Sequence, residues 1–524
     1  MKKIVNKFVW IGALIVLAGG MAACGKNTNT TSSSSTSSQS DVFTYAISGD
    51  PSSLNPINVS DRWGLTVTNM VFSPLVRIEG DGTQKFELAE SLEASEDGKS
   101  LLARLRQDIK WSDGEPFTAD DVVFTYTEKA KRENGGADGL WVDDQPIKVV
   151  KVNDYEVRFE LPTVSAAALN NIATEVYIIP QHVYQDIPDF SVTDLGQDLV
   201  GTGPYKLVKN KRGEYLQFVA NEHYFREPAN IKNVTLRILT SSDTTKVALQ
   251  KGEIDASFVL PNDVKEIEKS GLKPYVYSEN RVGYLGLNTH SQKLAQKEVR
   301  QVIFYALNRE EMNLASYLSK DYFDNAVSIL PPQNPFVTDK VNDYSQDEAK
   351  SKALLKQANI NNLRINLGFS SDDPAQSLQA ALIQQQLQKV GIQVELKGGD
   401  GSAIFTELKK PGSEAYDMFL GGYIMGNDPD LYSTLYASYG SANYFQYHSD
   451  ETDQLFHEGA VALDQEKRQS AYEALQVKIM DDAIVYPIVD SKKVLMVNPR
   501  IEHVEEAGLV PIYTFEDMSK LSFK

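Results

Sequence analysis

A chain of 524 residues has room for about three folding units. Hydrophobic residues make up 42% and charged residues 23%, a balance that builds a large core and excludes full-length disorder, a collagen-like fibre and a polytopic membrane protein. A single cysteine excludes an intramolecular disulfide, and a formal charge of −19 disfavours nucleic-acid binding, which needs clustered Lys and Arg.

The N-terminus reads as an export signal over residues 1–23. Lys2, Lys3 and Lys7 form a basic start, and residues 8–23 are an uncharged, mostly apolar run. That run is shorter than the ~20 residues a transmembrane helix needs. Ala22 and Ala23 precede Cys24, and Met21-Ala22-Ala23-Cys24 resembles a bacterial lipobox with Met in the place of the usual Leu. In a lipobox the cysteine thiol is lipid-modified and becomes the new N-terminus; the plain alternative is a free thiol. Residues 25–40, with Ser32 to Ser35 and Ser37-Ser38, carry no apolar side chain to bury and read as a flexible tether. Signal, lipidated cysteine, tether and globular body together describe a protein held at the extracellular face of a bacterial cell membrane. A tether there raises the local concentration of the body near a membrane partner.

Strand and helix signals alternate through the body. Thr44-Tyr45-Ala46-Ile47 reads as a short strand ended by Gly49-Asp50-Pro51. Gly98-Lys99-Ser100 resembles the end of a phosphate loop, but Glu93 stands where the first glycine belongs, so a turn is expected. Leu101, Ala103 and Leu105 alternate as in a strand buried mainly on one face. Thr118-Ala119-Asp120-Asp121 reads as a capping box opening a helix. Asn153-Asp154 turns a hairpin between 147–152 and 156–161, and residues 210–213 turn another into 215–220. Val299, Val302, Ile303 and Ala306 mark one helix face. Leu378, Leu382, Ile383, Leu387 and Val390 mark a second, ended by Gly391 before a strand over 392–396. The mixture predicts an α/β protein with sheets covered by helices, with no internal repeat and no second linker.

Signals for catalysis are sparse. No G-x-S-x-G or H-E-x-x-H stands in the chain. The six histidines are not paired at helical metal-ligand spacing, and no cysteine remains to help them hold zinc. The 25 tyrosines suit a site that accepts varied ligands, although most must serve core packing.

Several stretches resemble the extracellular solute-binding proteins of peptide importers, the peptide/nickel-binding family of ABC transport systems. The most specific are Ala89-Glu90-Ser91-Leu92-Glu93 and the run from Leu105 through Trp111-Ser112-Asp113-Gly114-Glu115-Pro116 to Val122. Gly201-Thr202-Gly203-Pro204-Tyr205, Tyr284-Leu285-Gly286-Leu287-Asn288, Ala306-Leu307-Asn308-Arg309 and Asp428-Pro429-Asp430 follow in family order. Trp111 reads as a packed aromatic beside a tight turn.

The resemblance implies two lobes joined by hinge strands. The core of lobe one is expected at 41–75, 200–280 and 490–524, an extra subdomain at 76–199, and lobe two at 281–489. The chain would cross near 281–288 and return near 485–490. A peptide ligand would lie between the lobes and be buried by closure. Exposed strand edges would bind its backbone, which every peptide shares, and hydrated pockets would take its side chains. Resemblance and chemistry together nominate Tyr423, Asn427, Asp428, Asp430, Tyr284, Asn288, Trp63, Tyr444 and Arg281 as ligand contacts. Asp428 is matched to a peptide α-amino group, so Asp428→Ala should weaken binding with little change in melting temperature; the alternative is a carboxylate capping the next helix. Arg281 is matched to a carboxylate terminus. The implied function is capture of oligopeptides and delivery to an ABC permease by a monomer, without cofactor, metal or catalysis. The alternatives are another solute (a nickel complex, a sugar, a haem-like ligand), a peptide receptor, and a secreted hydrolase using paired carboxylates.

Overall fold

The computed structural model describes residues 41–78, 83–135, 138–142, 144–168, 172 and 176–524. Residues 1–40, with the expected export signal, Cys24 and the expected tether, lie outside the described residues.

The body opens with β1 (Val42–Ile47) and α1 (Arg62–Val71). The helix starts where it does because the Asp61 carboxylate accepts from the amides of Trp63 (3.1 Å) and Gly64 (3.0 Å), donors that a helix start leaves unpaired. β2 (Ala89–Ala94) and β3 (Ser100–Leu105) form a hairpin whose turn carries Gly98 at φ +67°, so Gly98-Lys99-Ser100 is a turn and not a phosphate loop. α2 (Ala119–Lys129) begins at the expected box. There the Asp121 carboxylate accepts from the Thr118 amide (2.9 Å), the Gln181 amide (2.8 Å) and Trp111 Nε1 (3.3 Å). β4 (Lys148–Asn153) and β5 (Glu156–Glu160) complete a four-stranded antiparallel sheet in the order β2-β3-β5-β4.

One large sheet holds β6 (Tyr205–Lys211), β7 (Tyr215–Ala220), β8 (Asn233–Ile238), β9 (Ala256–Val259), β10 (Lys273–Leu287), β11 (Phe323–Asn325), β12 (Arg364–Ser370), β13 (Gln393–Gly399), β14 (Met418–Ile424) and β15 (Val485–Val497). With β1 they are ordered β6-β7-β8-β1-β9-β15-β10-β14-β12-β13, and β11 adds to β15. The helices of this region include α3 (Lys297–Ala306), α4 (Pro374–Lys389), α5 (Asp450–Val461) and α6 (Gln465–Asp481).

Three main apolar cores form. One gathers Phe43, Tyr45, α1, Leu216 to Leu236 and the C-terminal Leu495 to Leu521. A second gathers residues between Leu75 and Ile178 around Trp111 and Tyr126. The third spans Val282 to Val489. Tyr184, Phe190 and Leu199 fall within the stretch expected to form an extra subdomain, but they bury in the first core. The long strands β10 and β15 run between the first core and the third, and their register shifts between Ser278 and Val282. Asn280 sits in that shift at φ +54°, a left-handed conformation that Asn tolerates better than most residues.

Two sets of contacts tie distant segments together. The Gly201-Thr202-Gly203-Pro204 stretch lies against the end of α1: the Gly203 amide donates to the Val71 carbonyl at 2.8 Å, and Ser112 N donates to the Gly201 carbonyl at 3.0 Å. The segment before the end of the second core also meets α5. The Ala166 amide donates to the Ala460 carbonyl at 2.7 Å, and Leu463 crowds Gly98, where a Cβ would lie 2.8 Å from its Cδ1.

One helix face differs from its expected composition. On α4, Ile383 and Leu387 are fully buried, but Leu378 is 46% exposed while Gln379 and Gln386 are buried. Gln386 is tolerated inside because its oxygen accepts from the Asn308 amide (2.9 Å) and its nitrogen donates to Glu311 (2.8 Å).

Candidate functional site

Most of the nominated residues lie on the β10–β14 pair or just after it. Its register sets Arg281 opposite Ile424, Val282 opposite Tyr423, Gly283 opposite Gly422 and Tyr284 opposite Gly421. Side chains alternate across a strand, so two faces result. Val282, Tyr284 and Tyr423 share one face and are buried in the third core. Arg281, Gly283, Gly422 and Ile424 share the other face, where Arg281, Gly422 and Ile424 keep partial exposure.

This division corrects the expected contacts of Tyr284 and Tyr423. The Tyr423 hydroxyl reaches the Ile329 carbonyl and the Tyr436 hydroxyl, each at 2.7 Å, and its ring lies 5.3 Å from that of Tyr284. Both rings pack inward, with Tyr284 only 2% exposed. Gly421 is glycine for the same reason, since a Cβ there would sit 2.8 Å from the Tyr284 ring. Asn288 is also structural: fully buried, it donates to the carbonyls of Ser413 (2.7 Å) and Tyr416 (3.1 Å) and accepts from the His290 amide.

Asp428 is corrected too. Its side chain is buried, and both oxygens receive Nη2 of Arg468 at 2.9 and 2.8 Å. One oxygen also accepts from the Asp430 amide at 3.0 Å, capping the short turn Pro429–Tyr432. Arg468 comes from α6, forty positions away in sequence. A peptide amino group would have to displace this cation. Asn427 is partly exposed, and its carbonyl accepts from Asn334 Nδ2 at 3.0 Å.

Asp430, by contrast, has no hydrogen-bond or ion-pair partner for its carboxyl among the described residues and keeps partial exposure. Burial first, and then the adjacent Asp428 charge, push this carboxyl up to about 7, against the pull of Arg468. A folded value above the unfolded one means stability is fully present below the unfolded value and is lost as pH rises toward about 7. Asp430→Asn is therefore expected to raise the melting temperature relative to the parent at about pH 8 and to change it little at about pH 4. Calorimetry across that range checks it, and equal shifts at both ends contradict the assignment.

On the other side of the β10–β15 crossing stands a second set. Trp63 is 8% exposed, donates Nε1 to Ser48 at 3.3 Å and lies 6.2 and 6.4 Å from the rings of Tyr45 and Phe258. Phe258 also neighbours Tyr277 at 6.3 Å. Arg62 lies 5.7 Å over the Phe258 ring and pairs with the buried Glu279, while Lys493 Nζ stands 5.8 Å from that ring and 3.8 Å from Glu279. Arg62, Phe258, Glu279 and Lys493 were not legible as site residues, because they come from four separate elements. An open groove of about 670 Å³, lined by residues 273–277 with Glu505 and Leu509, adjoins this set at Tyr277. Tyr444, the remaining candidate, is partly exposed and rests its ring 4.8 Å from Phe405.

The free edge of β14 completes the geometry. β12 pairs with β14 only at Met418 and Phe419, so residues 420–424 are bridged to β10 alone among the described strands. The crossing beside it carries a polar knot: the fully buried Asp490 accepts from Ser278 Oγ (2.8 and 2.9 Å) and Gln333 Nε2 (3.1 Å). Burial raises the Asp490 carboxyl above its ordinary value. Among the described residues no group of three or more His, Cys, Asp or Glu is placed to hold a metal, and no helix is long and apolar enough to cross a membrane.

This geometry has known relatives. The profile of the bacterial extracellular solute-binding proteins, family 5 Middle, matches residues 84–446. The oligopeptide-binding protein AppA of Bacillus subtilis is 26% identical over 513 residues, covering 92% of this chain and 93% of that protein. The crystal structure of the ABC transporter substrate binding protein CtaP from Listeria monocytogenes superposes with a TM-score of 0.88 at 36% identity, over 92% of this chain and 99% of that one. The fold is also that of AppA from Bacillus subtilis in complex with a nonapeptide, with a TM-score of 0.78 at 23% identity over 92% and 99% of the two chains. A profile match across most of the chain, with a two-lobed fold shared end to end, makes this chain a member of the bacterial extracellular solute-binding proteins, family 5.

Proposed function

We propose that the chain is an extracellular oligopeptide-binding protein that delivers its ligand to an ABC transporter permease. The observation that carries this reading is the one-sided edge of β14 beyond Phe419, next to the β10–β15 crossing. An extended peptide adds to such an edge through its own backbone donors and acceptors, so affinity does not depend on side-chain identity. The resemblance to an oligopeptide-binding protein along almost its whole length supports the same reading.

In this reading lobe one comprises 41–75, 200–280 and 490–524, lobe two comprises 281–489, and the subdomain between 76 and 199 returns its last part to the lobe-one core. β10 and β15 act as the hinge. Arg281, Asn427, Asp430 and Tyr444 remain the ligand-facing candidates, because each keeps exposed surface, whereas Trp63 is 8% exposed and packs in the first core. The protein acts as a monomer, breaks no bond, and is anchored outside the cell through a lipid on Cys24. Ligand favours closure only by its higher affinity for the closed form.

Mass spectrometry of ligands released on denaturing the purified protein is the direct test, and peptides are the expected finding. A metal complex, a sugar or a porphyrin in their place overturns the reading, and peptide fragmentation on incubation would point to a hydrolase. Small-angle scattering should show a smaller radius of gyration when a bound peptide is present. Unchanged scattering with a peptide that demonstrably binds contradicts closure.

A further inference from the structure

One segment beside the third core touches both the crossing strands and the loop that follows β14. Residues 331–336 read Pro-Pro-Gln-Asn-Pro-Phe. Prolines at 331, 332 and 335 fix φ and stiffen the segment. Asn334 tightens it: its Oδ1 accepts from the Phe336 amide at 2.9 Å, and its own amide donates to the Pro331 carbonyl at 3.0 Å. Gln476 of α6 grips both flanks. Fully buried, it donates Nε2 to the Phe336 carbonyl at 2.8 Å, and its oxygen accepts from Ser328 Oγ (2.8 Å) and the Thr338 amide (3.2 Å). A stiff segment held on both sides moves as one piece.

Its two middle side chains reach different places. Gln333 donates Nε2 to the buried carboxylate of Asp490 at 3.1 Å. Ser278 Oγ donates to the same carboxylate and accepts from the Asn280 amide at 2.9 Å, inside the register shift of β10. Lys492 is held by Asp324 at 3.0 Å, so hydrogen bonds, and not an ion pair, support Asp490 among the described residues. Gln333 supplies one of those bonds although it is exposed. Asn334 Nδ2 donates to the Asn427 carbonyl at 3.0 Å, in the loop between the open edge of β14 and the Asp428–Arg468 pair. Adjacent residues of one stiff segment therefore hold the bulge of the crossing strands and the loop of the candidate site.

We infer that residues 331–336 are a strut that couples the 425–430 loop to the hinge, with Gln333 and Asn334 as its positioning residues. This rests on the proposed peptide site and adds the route by which an occupied loop reaches the crossing strands. Displacement of the loop draws on Asn334, and Gln333 then moves against Asp490, a buried carboxylate for which a lost donor is costly. Coupling between distant sites is carried by such rigid elements with polar partners at both ends.

Hydrogen–deuterium exchange of the purified protein without ligand tests the strut. At neutral pH, Asn334→Asp removes the donor to Asn427 and keeps an oxygen for the Phe336 amide. It should speed exchange about five- to tenfold in residues 279–282, none of which it contacts. Gln333→Ala, a truncation at an exposed position, should do the same in residues 426–430. The β4–β5 hairpin serves as the control and should keep its parental rate. Faster exchange confined to the neighbourhood of each substitution overturns the strut, and so does a rise of equal size in the β4–β5 hairpin. A pool of random hexapeptides provides the second arm. In wild type it should slow exchange in residues 279–282 as well as 420–424; in Gln333→Ala the protection of 420–424 should persist and that of 279–282 should weaken. Equal protection of both stretches in Gln333→Ala overturns the strut and leaves peptide binding standing. No protection anywhere in wild type overturns the peptide reading, while the strut is still decided by the exchange measured without ligand.

Discussion

Asp428→Ala is expected to destabilise the protein by about 3–5 kcal/mol, the loss typical of breaking a buried ion pair on one side only. The reason is what stays behind. Arg468 is 8% exposed in its side chain, and its Nη2 faces the Asp428 carboxylate. Its Nε still donates to the Gly459 carbonyl at 2.9 Å, but removal of Asp428 leaves a buried positive charge without its counter-ion. The same change removes the cap on the Asp430 amide. Urea unfolding measures the loss. A second variant separates the ion pair from the loop: Asp428→Ala with Arg468→Met should recover much of the stability, because buried pairs are often replaced by apolar side chains without loss. Unchanged stability together with weakened peptide binding in Asp428→Ala would return Asp428 to the ligand.

Gly201→Ala is expected to be at least as damaging as the about 1–3 kcal/mol typical of an overpacked core. The added Cβ would lie 1.9 Å from the Val71 carbonyl oxygen and 2.8 Å from its carbon. These are backbone atoms at the end of α1, which cannot rotate away as a side chain can. Moving the 201–204 turn outward instead would break the bond from Gly203 N to Val71 O and the bond from Ser112 N to Gly201 O. Thermal unfolding should therefore shift clearly downward, and expression of the variant as soluble protein should fall. A normal melting temperature would mean that α1 ends differently.

These two positions show what was legible in the sequence and what was not. Local signals worked where the physics is local. The turn at Gly98, the cap at Thr118 and the strand expected at residues 44–47, observed over 42–47, all follow from short-range rules. The roles of Gly201 and Asp428 depend on partners far along the chain, Val71 and Arg468, and no spacing rule connects them. Tyr284 and Tyr423 are a different case. The alternation Arg281-Val282-Gly283-Tyr284 already separates an apolar face from a polar one, and the apolar face is the one that turns into the core. Aromatic chemistry suggested a ligand contact, and the period-two pattern, given equal weight, argues against it. The cations around Phe258 were invisible because α1, β9, β10 and β15 supply one or two residues each.

The touch between Ala166 and Ala460, with Leu463 against Gly98, has a bearing on the proposed closure. It joins the subdomain around Trp111 to the end of α5, and these belong to different apolar cores. Any rotation about β10 and β15 that parts those cores must first release this catch. In the proposed closure, trimming Leu463 to alanine would ease that release without altering the strands β10 and β15.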